Sequence, residues 1–329
     1  MSAGDTPIHD QQSPYLTIVV TGRNDDLGGD FNGRFFRALR FNHDQLQSAG
    51  VPHEFVFVEW SPMPRQPLLT TLLANEFPDL AAMQLRSYVV DPAYHEALSL
   101  NPRLRFQEFI AKNVGIRRAR GTFVLTTNTD IYFSRGVLDA LSGRTLQADV
   151  LYRAARHDLK GDRDVSEMHW DLLEDERNCE IVNEIRPPWF TNASGDFLLL
   201  DRETYHRLRG FNEIYRVAKI HIDGNFCLKA HASAVTIVDI GAPVYHLGRG
   251  TLHAQAGAYR ARPGDAPWGD VRWKSDVIYE NGDGWGLGAA PERVRDPRTT
   301  ILDFDWKAVG PMVELGRLVL PGRGQRRAS

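Results

Sequence analysis

Apolar and polar positions alternate in blocks along residues 15–245 of this 329-residue chain. YLTIVV (15–20) is short, β-branched and apolar, and the turn-rich TGRNDDLGGD follows it. Residues 33–49, GRFFRALRFNHDQLQSA, place apolar side chains near helical spacing. HEFVFVEW (53–60) reads as a second strand, stopped by SPMPRQP. Residues 106–120, FQEFIAKNVGIRRAR, read as a helix with Gly121 as its C-terminal stop. TFVLTT, ADVLYRA and GDFLLLD (195–201) are further strand candidates, and AVTIVDI (234–240) is a late one. ETYHRLRG reads as a short helix closed by Gly210. Strands that alternate with helices predict an α/β fold, with a largely parallel sheet covered on both faces. After residue 250 the chain turns to Gly, Pro, Arg and Trp with weak periodicity. The expected division is a disordered tail over 1–13, a catalytic domain over 14–250, and an extension over 251–329 that packs on that domain and ends in frayed residues.

Composition narrows the class. Hydrophobic residues make up 42% and charged residues 25%, which suits a soluble globular protein. A net charge of −3 gives no sign of a nucleic-acid partner. Two cysteines, Cys179 and Cys227, build neither a disulfide framework nor a Cys-rich zinc site, and suit a reducing, cytoplasmic compartment. No apolar run reaches membrane-spanning length, and MSAGDTPIHDQQSP lacks the order of a signal peptide. The basic end, PGRGQRRAS, is expected to be a solvated tail. Its sharper reading is a peripheral contact with anionic lipid.

The stretch GTFVLTTNTDIYFS (121–134) raises the question of chemistry. In open α/β sheets, ligands bind beyond the carboxyl ends of the strands. Asn128 and Asp130 stand at such an end. If the segment is extended, both side chains point the same way and offer oxygen to a hard cation. The plain alternative is an Asx turn that ends the strand.

LTIVVTGRND, VFVEWS, AKNVGIRRARGTFVLTTNTDIYF, GDFLLLDRETYHRLRGFNE, HIDGNFCLKA and VYHLGRG follow one another over residues 15–250. In that order they resemble the nucleotide-sugar glycosyltransferases of the GT-A fold, especially the large "family two" group. The most specific segment, KNVGIRRARGTFVLTTNTD, resembles the family's Arg-Asn-x-Gly-x-x-x-Ala-x-Gly helix, strand and Asp-x-Asp metal motif. Lys112 and Asn113 fall on its Arg-Asn pair, and Gly115, Ala119 and Gly121 match directly. Asn128 and Asp130 fall on the two acidic positions. GFNE (210–213) resembles Gly-Phe-Asp-Glu, and DGNFCLKA (223–230) the segment that holds the catalytic acid residue. His246 falls where the family often places a histidine near the metal. The chain departs from the pattern at Asn128, at Glu59 in place of Asp after the second strand, and at Ile222 in place of Glu before Asp223.

The resemblance implies a Rossmann-like GT-A domain and a hexosyltransferase-like enzyme. It implies transfer of a sugar from a UDP- or GDP-type donor to a saccharide or other hydroxyl acceptor, by inverting displacement. Mn²⁺ or Mg²⁺, weakly bound, would be held by Asn128, Asp130 and His246, because the leaving diphosphate gathers negative charge. Lys112 and Arg23 are alternative carriers of that positive charge. Thr21, Arg23, Asn24 and Glu59, with Lys112 and Asn113, are the expected nucleotide contacts. Asn113 has packing against the sheet as its alternative. Asp223 is the expected base, Asp196 the second choice, and a helix cap the alternative for Asp223. Trp189 and Trp285 are expected either to stack on sugar or to pack. A homodimer is compatible with all of this.

Rival readings have less support. A sugar-nucleotide pyrophosphorylase needs a basic Gly-rich loop after the first strand, and TGRNDDLGGDFNGR is too acidic. No GxxxxGK[ST] loop occurs, and GDGWGLG (282–288) follows no expected strand. A metallohydrolase built on His221, Asp223 and His246 has spacing alone in its favour. A non-catalytic sugar-nucleotide-binding or scaffold protein is favoured by Asn128 and Ile222. A donor hydrolysis or transfer assay separates it from an enzyme.

Overall fold

The computed structural model describes residues 13–25, 30–79, 83–102, 104–160, 168–216, 222–247 and 278–313, with the backbone of 318–319. The tail over 1–12, His221 and residues 248–277 lie outside the described residues.

The order along the chain is β1 (Leu16–Gly22), α1 (Phe31–Ser48), β2 (His53–Trp60), α2 (Leu69–Glu76), β3 (Leu85–Val90), α3 (Pro92–Leu98), α4 (Glu108–Arg117), β4 (Phe123–Thr126), β5 (Ile131–Phe133) and α5 (Arg135–Ser142). It continues with β6 (Val150–Arg153), β7 (Arg156–Leu159), α6 (Trp170–Leu173), β8 (Cys179–Asn183), β9 (Leu198–Asp201), α7 (Arg202–Leu208), α8 (Ile222–Ala232), β10 (Thr236–Asp239) and β11 (Val244–Leu247). The last elements are β12 (Ile278–Tyr279), β13 (Glu292–Asp296), β14 (Thr299–Leu302), α9 (Trp306–Val313) and β15 (Leu318–Val319).

A nine-stranded sheet has the order β10-β6-β9-β4-β1-β2-β3-β14-β13. Only β9 and β13 run against the other seven. The expected α/β class, a mostly parallel sheet flanked by helices, is therefore what the chain adopts. Its central strands are largely apolar on both faces because both faces are covered. Ile18, Val20, Phe55, Phe57 and Leu125 pack on one side with α1, α2 and α5. Val19, Val56, Val58 and Val124 pack on the other with α3, α4, α7, α8 and α9. A second sheet, β5-β11-β7-β8, stands beside the first and carries part of the site.

Two expectations change. Gly121 is not the stop of α4, which ends at Arg117. A Cβ at Gly121 would meet the Thr17 backbone nitrogen at 2.5 Å, so glycine serves a close pass along β1. The segment after 250 is not merely laid over the sheet. Within its described part, β14 pairs in parallel with β3 and β13 forms the outer edge. Its weak periodicity follows from a charged strand, ERVRD, exposed along its whole length.

Candidate functional site

The order β3-β2-β1-β4 puts a topological switch point between β1 and β4, where an open α/β sheet leaves a crevice at its carboxyl edge. Thr127–Asp130 lie there. The segment does not stay extended, because residues 129 and 130 form a turn into β5. Asn128 and Asp130 therefore take different partners. The Asn128 amide nitrogen donates to Asp196 Oδ1 at 2.6 Å, and its oxygen accepts from Lys112 Nζ at 2.9 Å. Asp130 Oδ2 lies 3.5 Å from His246 Nε2 and 3.9 Å from Arg34 Nε of α1.

These side chains are parts of one connected network. The other nitrogen of His246, Nδ1, is 2.7 Å from Asp158 Oδ1. Arg156 Nη2 donates to Asp158 Oδ2 at 3.0 Å, and Arg156 Nη1 to Asp196 Oδ2 at 2.7 Å. Asp196 accepts from Asn128, which closes the loop through the backbone to Asp130. Lys112, fully buried on α4, also bonds the Gly195 carbonyl at 2.9 Å and pairs with Glu108 at 2.9 Å. Strand periodicity accounts for half of this arrangement. Arg156 and Asp158 sit two apart on β7 and share a face, and His246 of β11 stands opposite Asp158.

Charge is retained in this network. Burial opposes the imidazolium of His246, but Asp130 and Asp158 outweigh burial and raise its pKa to about 10. Burial likewise opposes the charge of Asp130 and Asp158, yet His246 with Arg34, and His246 with Arg156, hold them below the usual carboxylate range.

Asp223, at the start of α8, lies next to the network and is partly exposed. Its Oδ2 accepts from Ser194 Oγ at 2.9 Å and from the Gly195 backbone nitrogen at 2.6 Å. Asp196 and Asp223 are thus joined through the 3-10 turn Ser194–Asp196. Arg153, wholly buried, donates to the carbonyls of Phe190, Asn192 and Ser194 and fixes the loop that carries Trp189, which is 45% exposed.

The expected nucleotide contacts at the ends of β1 and β2 are largely engaged by protein. Glu59 is fully buried, and its carboxylate accepts from the backbone nitrogens of Leu69 at 2.8 Å and Thr70 at 3.3 Å. It caps α2, whose own N-cap residue, Leu68, makes no side-chain bond. Burial pushes the Glu59 pKa up to about 7. Asn24 ties down the loop after β2, accepting from Met63 N and donating to the carbonyls of Met63, Gln66 and Pro67. Arg23 reaches Ser61 O, Asp25 and Arg105 O. Thr21 is buried on β1.

Asn113 and Trp285 stand away from this centre. Asn113 points to the other side of α4, where it bonds Phe211 N at 2.7 Å, Phe211 O at 2.8 Å and Glu213 Oε1 at 2.9 Å. There it holds the Phe211–Glu213 segment by hydrogen bonds, which is neither a nucleotide contact nor packing against the sheet. Trp285 is 4% exposed, with the Arg117 guanidinium 5.2 Å from its ring centroid and His206 against its edge, so it packs and offers no face to a sugar.

The three expected metal ligands do not converge. Asn128 faces Lys112 and Asp196, and both nitrogens of His246 face carboxylates. Among the described residues no three His, Cys, Asp or Glu side chains form a metal-holding group. As arranged, these residues do not fit a divalent metal. The sequence reading missed Arg156 and Asp158 of β7, Arg34 of α1 and Ser194. The alternation Arg-x-Asp in RHDL (156–159), next to a strand candidate, was the available signal.

No family model matches the chain, and no curated protein matches it. Among solved structures, one similar chain is the catalytic domain of Drosophila beta1,4-galactosyltransferase 7 in complex with xylobiose. It is 13% identical, with 91% of this chain and 98% of that chain covered and a TM-score of 0.39. Another is a nucleotidyl transferase from Methanothermobacter thermautotroptrophicus. It is 14% identical, with 70% of this chain and 88% of that chain covered and a TM-score of 0.36. Likenesses this distant define no reaction. Among the described residues, no helix is long and apolar enough to cross a membrane.

Proposed function

We propose that this chain is a glycosyltransferase that moves a sugar from a nucleoside-diphosphate donor to an acceptor hydroxyl by inverting displacement. The observation that carries the reading is the charged, half-buried network at the carboxyl edge of β1 and β4, beside the switch point of a mostly parallel sheet. That edge is where such sheets receive nucleotides. Asp223 is the base. Ser194 Oγ and the Gly195 nitrogen hold one of its oxygens and so orient the carboxylate toward the acceptor side. Asp196, buried and bonded to Asn128 and Arg156, positions the turn that presents Asp223. Trp189, exposed on the loop held by Arg153, offers a ring to the acceptor sugar.

The test is a thermal-shift screen of UDP and GDP, followed by a donor hydrolysis and transfer assay. One nucleotide should stabilise the protein, and a donor of the same base should be turned over. Stabilisation by neither nucleotide sinks the reading. A non-catalytic sugar-nucleotide binder is the second reading, favoured by the many protein donors that already occupy Asp158 and Asp196. Its mark is nucleotide binding without hydrolysis or transfer.

A further inference from the structure

The site lacks converging metal ligands, yet three carboxylates, Asp130, Asp158 and Asp196, meet within one network. Something must balance them, because close like charges raise each other's energy. Arg156 stands between two of them. Its Nη1 is 2.7 Å from Asp196 Oδ2, its Nη2 is 3.0 Å from Asp158 Oδ2, and its Nε is 2.9 Å from Asp158 Oδ1. One planar guanidinium therefore hydrogen-bonds Asp158 through Nη2 and Asp196 through Nη1, while its Nε lies within ion-pair distance of Asp158 without a hydrogen bond; two nitrogens aimed at two carboxylates is a geometry that suits arginine and not lysine. Only 13% of the Arg156 side chain is exposed. Asp158 also receives Asn183 Nδ2 at 2.7 Å and faces His246 Nδ1 at 2.7 Å, so donors surround both of its oxygens.

We propose that Arg156 is the built-in cation of this centre, occupying the place between Asp158 and Asp196 that a divalent ion would need. A divalent ion brings two positive charges at one point. Here the guanidinium of β7 supplies fixed positive charge between two of the carboxylates. An ion that approached Asp158 or Asp196 would meet Arg156 at contact distance and would have to displace it. Removal of the guanidinium reverses the situation. It leaves the carboxylates of Asp158 and Asp196 without the cation between them, and carboxylates are hard oxygen donors. The wild-type chain therefore takes no Mn²⁺ here, and loss of Arg156 creates a Mn²⁺ site.

The probe is Mn²⁺ alone, titrated by calorimetry and read in parallel by thermal melting, on the full chain and on Arg156→Ala. Metal affinity follows the charge and number of oxygen ligands, so the variant should bind Mn²⁺ at least about tenfold more tightly than wild type. Mn²⁺ should raise the melting temperature of the variant and leave that of wild type unchanged. In the double variant Arg156→Ala/Asp196→Asn the gain should vanish, which places the ion in this network. Arg156→Gln, which keeps a donor and a side chain of moderate length, serves if Arg156→Ala does not fold. A folded variant that ignores Mn²⁺ overturns the proposal. So does wild type that binds Mn²⁺ as tightly as the variant, a comparison that needs only one folded variant. If neither variant folds, tight Mn²⁺ binding by wild type that Asp158→Asn weakens overturns it, and silence of wild type supports it.

The link to turnover rests on the glycosyltransferase reading above and has its own arm. UDP and GDP are titrated into wild type with EDTA and with Mn²⁺. Equal affinity in the two buffers supports Arg156 as the replacement for metal. Loss of nucleotide binding in EDTA overturns it. Binding in neither buffer sinks the donor reading instead, and the Mn²⁺ comparison still decides the role of Arg156.

Discussion

Two buried polar clusters share helix α4, and they treat charge in opposite ways. Lys112 and Asn113 are neighbours in sequence, so they leave the helix about 100° apart. Lys112 enters the network at the strand ends, with Asn128, Gly195 and Glu108. Asn113 enters a clamp on the other side, where it bonds Phe211 and Glu213, and Glu213 in turn accepts from the Gly286 nitrogen at 2.8 Å. Lys229 of α8 joins the clamp through the Gly210 carbonyl at 3.0 Å, and burial pushes Glu213 up to about 7 and Lys229 down to about 7, toward neutral forms. In the network, His246 is raised to about 10 while Asp130 and Asp158 are lowered, toward charged forms. The clamp is closed and built on backbone partners, and Gly210 and Gly286 hold positive φ there. The network is partly open and built on side chains. A fold gains from neutral groups in a closed interior. Fixed charge kept at an open strand edge costs desolvation and suits a ligand.

The largest expected effect is on catalysis. Asp223→Asn keeps an oxygen that can accept from Ser194 Oγ and the Gly195 nitrogen but removes the proton acceptor. General-base catalysis contributes about 10²–10⁴-fold, so turnover should fall by that order with donor affinity unchanged. Normal turnover would remove Asp223 as the base and weaken the contrast between the two clusters.

Asn113→Ala should break the clamp alone. It leaves Glu213 and the Phe211 backbone short of partners, at a cost of about 2–3 kcal/mol in denaturant unfolding. Nucleotide affinity of the folded protein should not change. A parallel loss of affinity would return Asn113 to the nucleotide site.

The pH dependence sharpens the electrostatic difference. The folded pKa of His246, about 10, lies above its ordinary 6.5. Its stabilising contribution is therefore complete below about 6.5 and lost as pH rises toward 10. The advantage of wild type over His246→Gln in thermal melts should shrink steadily between pH 6 and pH 9.5. An advantage that grows over this range contradicts the assigned ion pairs. Asp130 and Asp158, with lowered pKa, contribute in the opposite direction. Their share is present above the ordinary 3.8 and is lost in stronger acid.

Glu59→Gln should have the smallest effect. Its amide oxygen can still cap α2, so the expected loss is under about 1 kcal/mol. Calorimetry should give equal nucleotide affinity for Glu59→Gln and wild type. A selective loss of affinity would put Glu59 back at the slot.

Some of this was legible in the chain itself. β1, β2, β4 and β9 were readable because strands buried on both faces are apolar runs, and α1 and α4 because their apolar positions repeat. The division into alternating strands and helices fixed the fold class and the edge at which to look. β3, β13 and β14 were not readable. β3, LRSYVV, interrupts its apolar run with Arg86 and Ser87, and ERVRD carries charge because it is an exposed edge. The candidate site was half legible. Asn128, Asp130, Asp196, Asp223 and His246 were all named from the chain, and they do gather at one edge. Their partners were decided by tertiary structure. Strand pairing brings His246 opposite Asp158, and the turn at 129–130 sends Asp130 away from Asn128. Helix phase sends Lys112 to the site and Asn113 to the clamp. The placement of α2 turns Glu59 from a ligand contact into a cap. The reason is physical: an apolar run requires burial in whatever partner it finds, so it reads locally. A polar side chain is defined by the atom opposite it, and that atom comes from dozens of residues away.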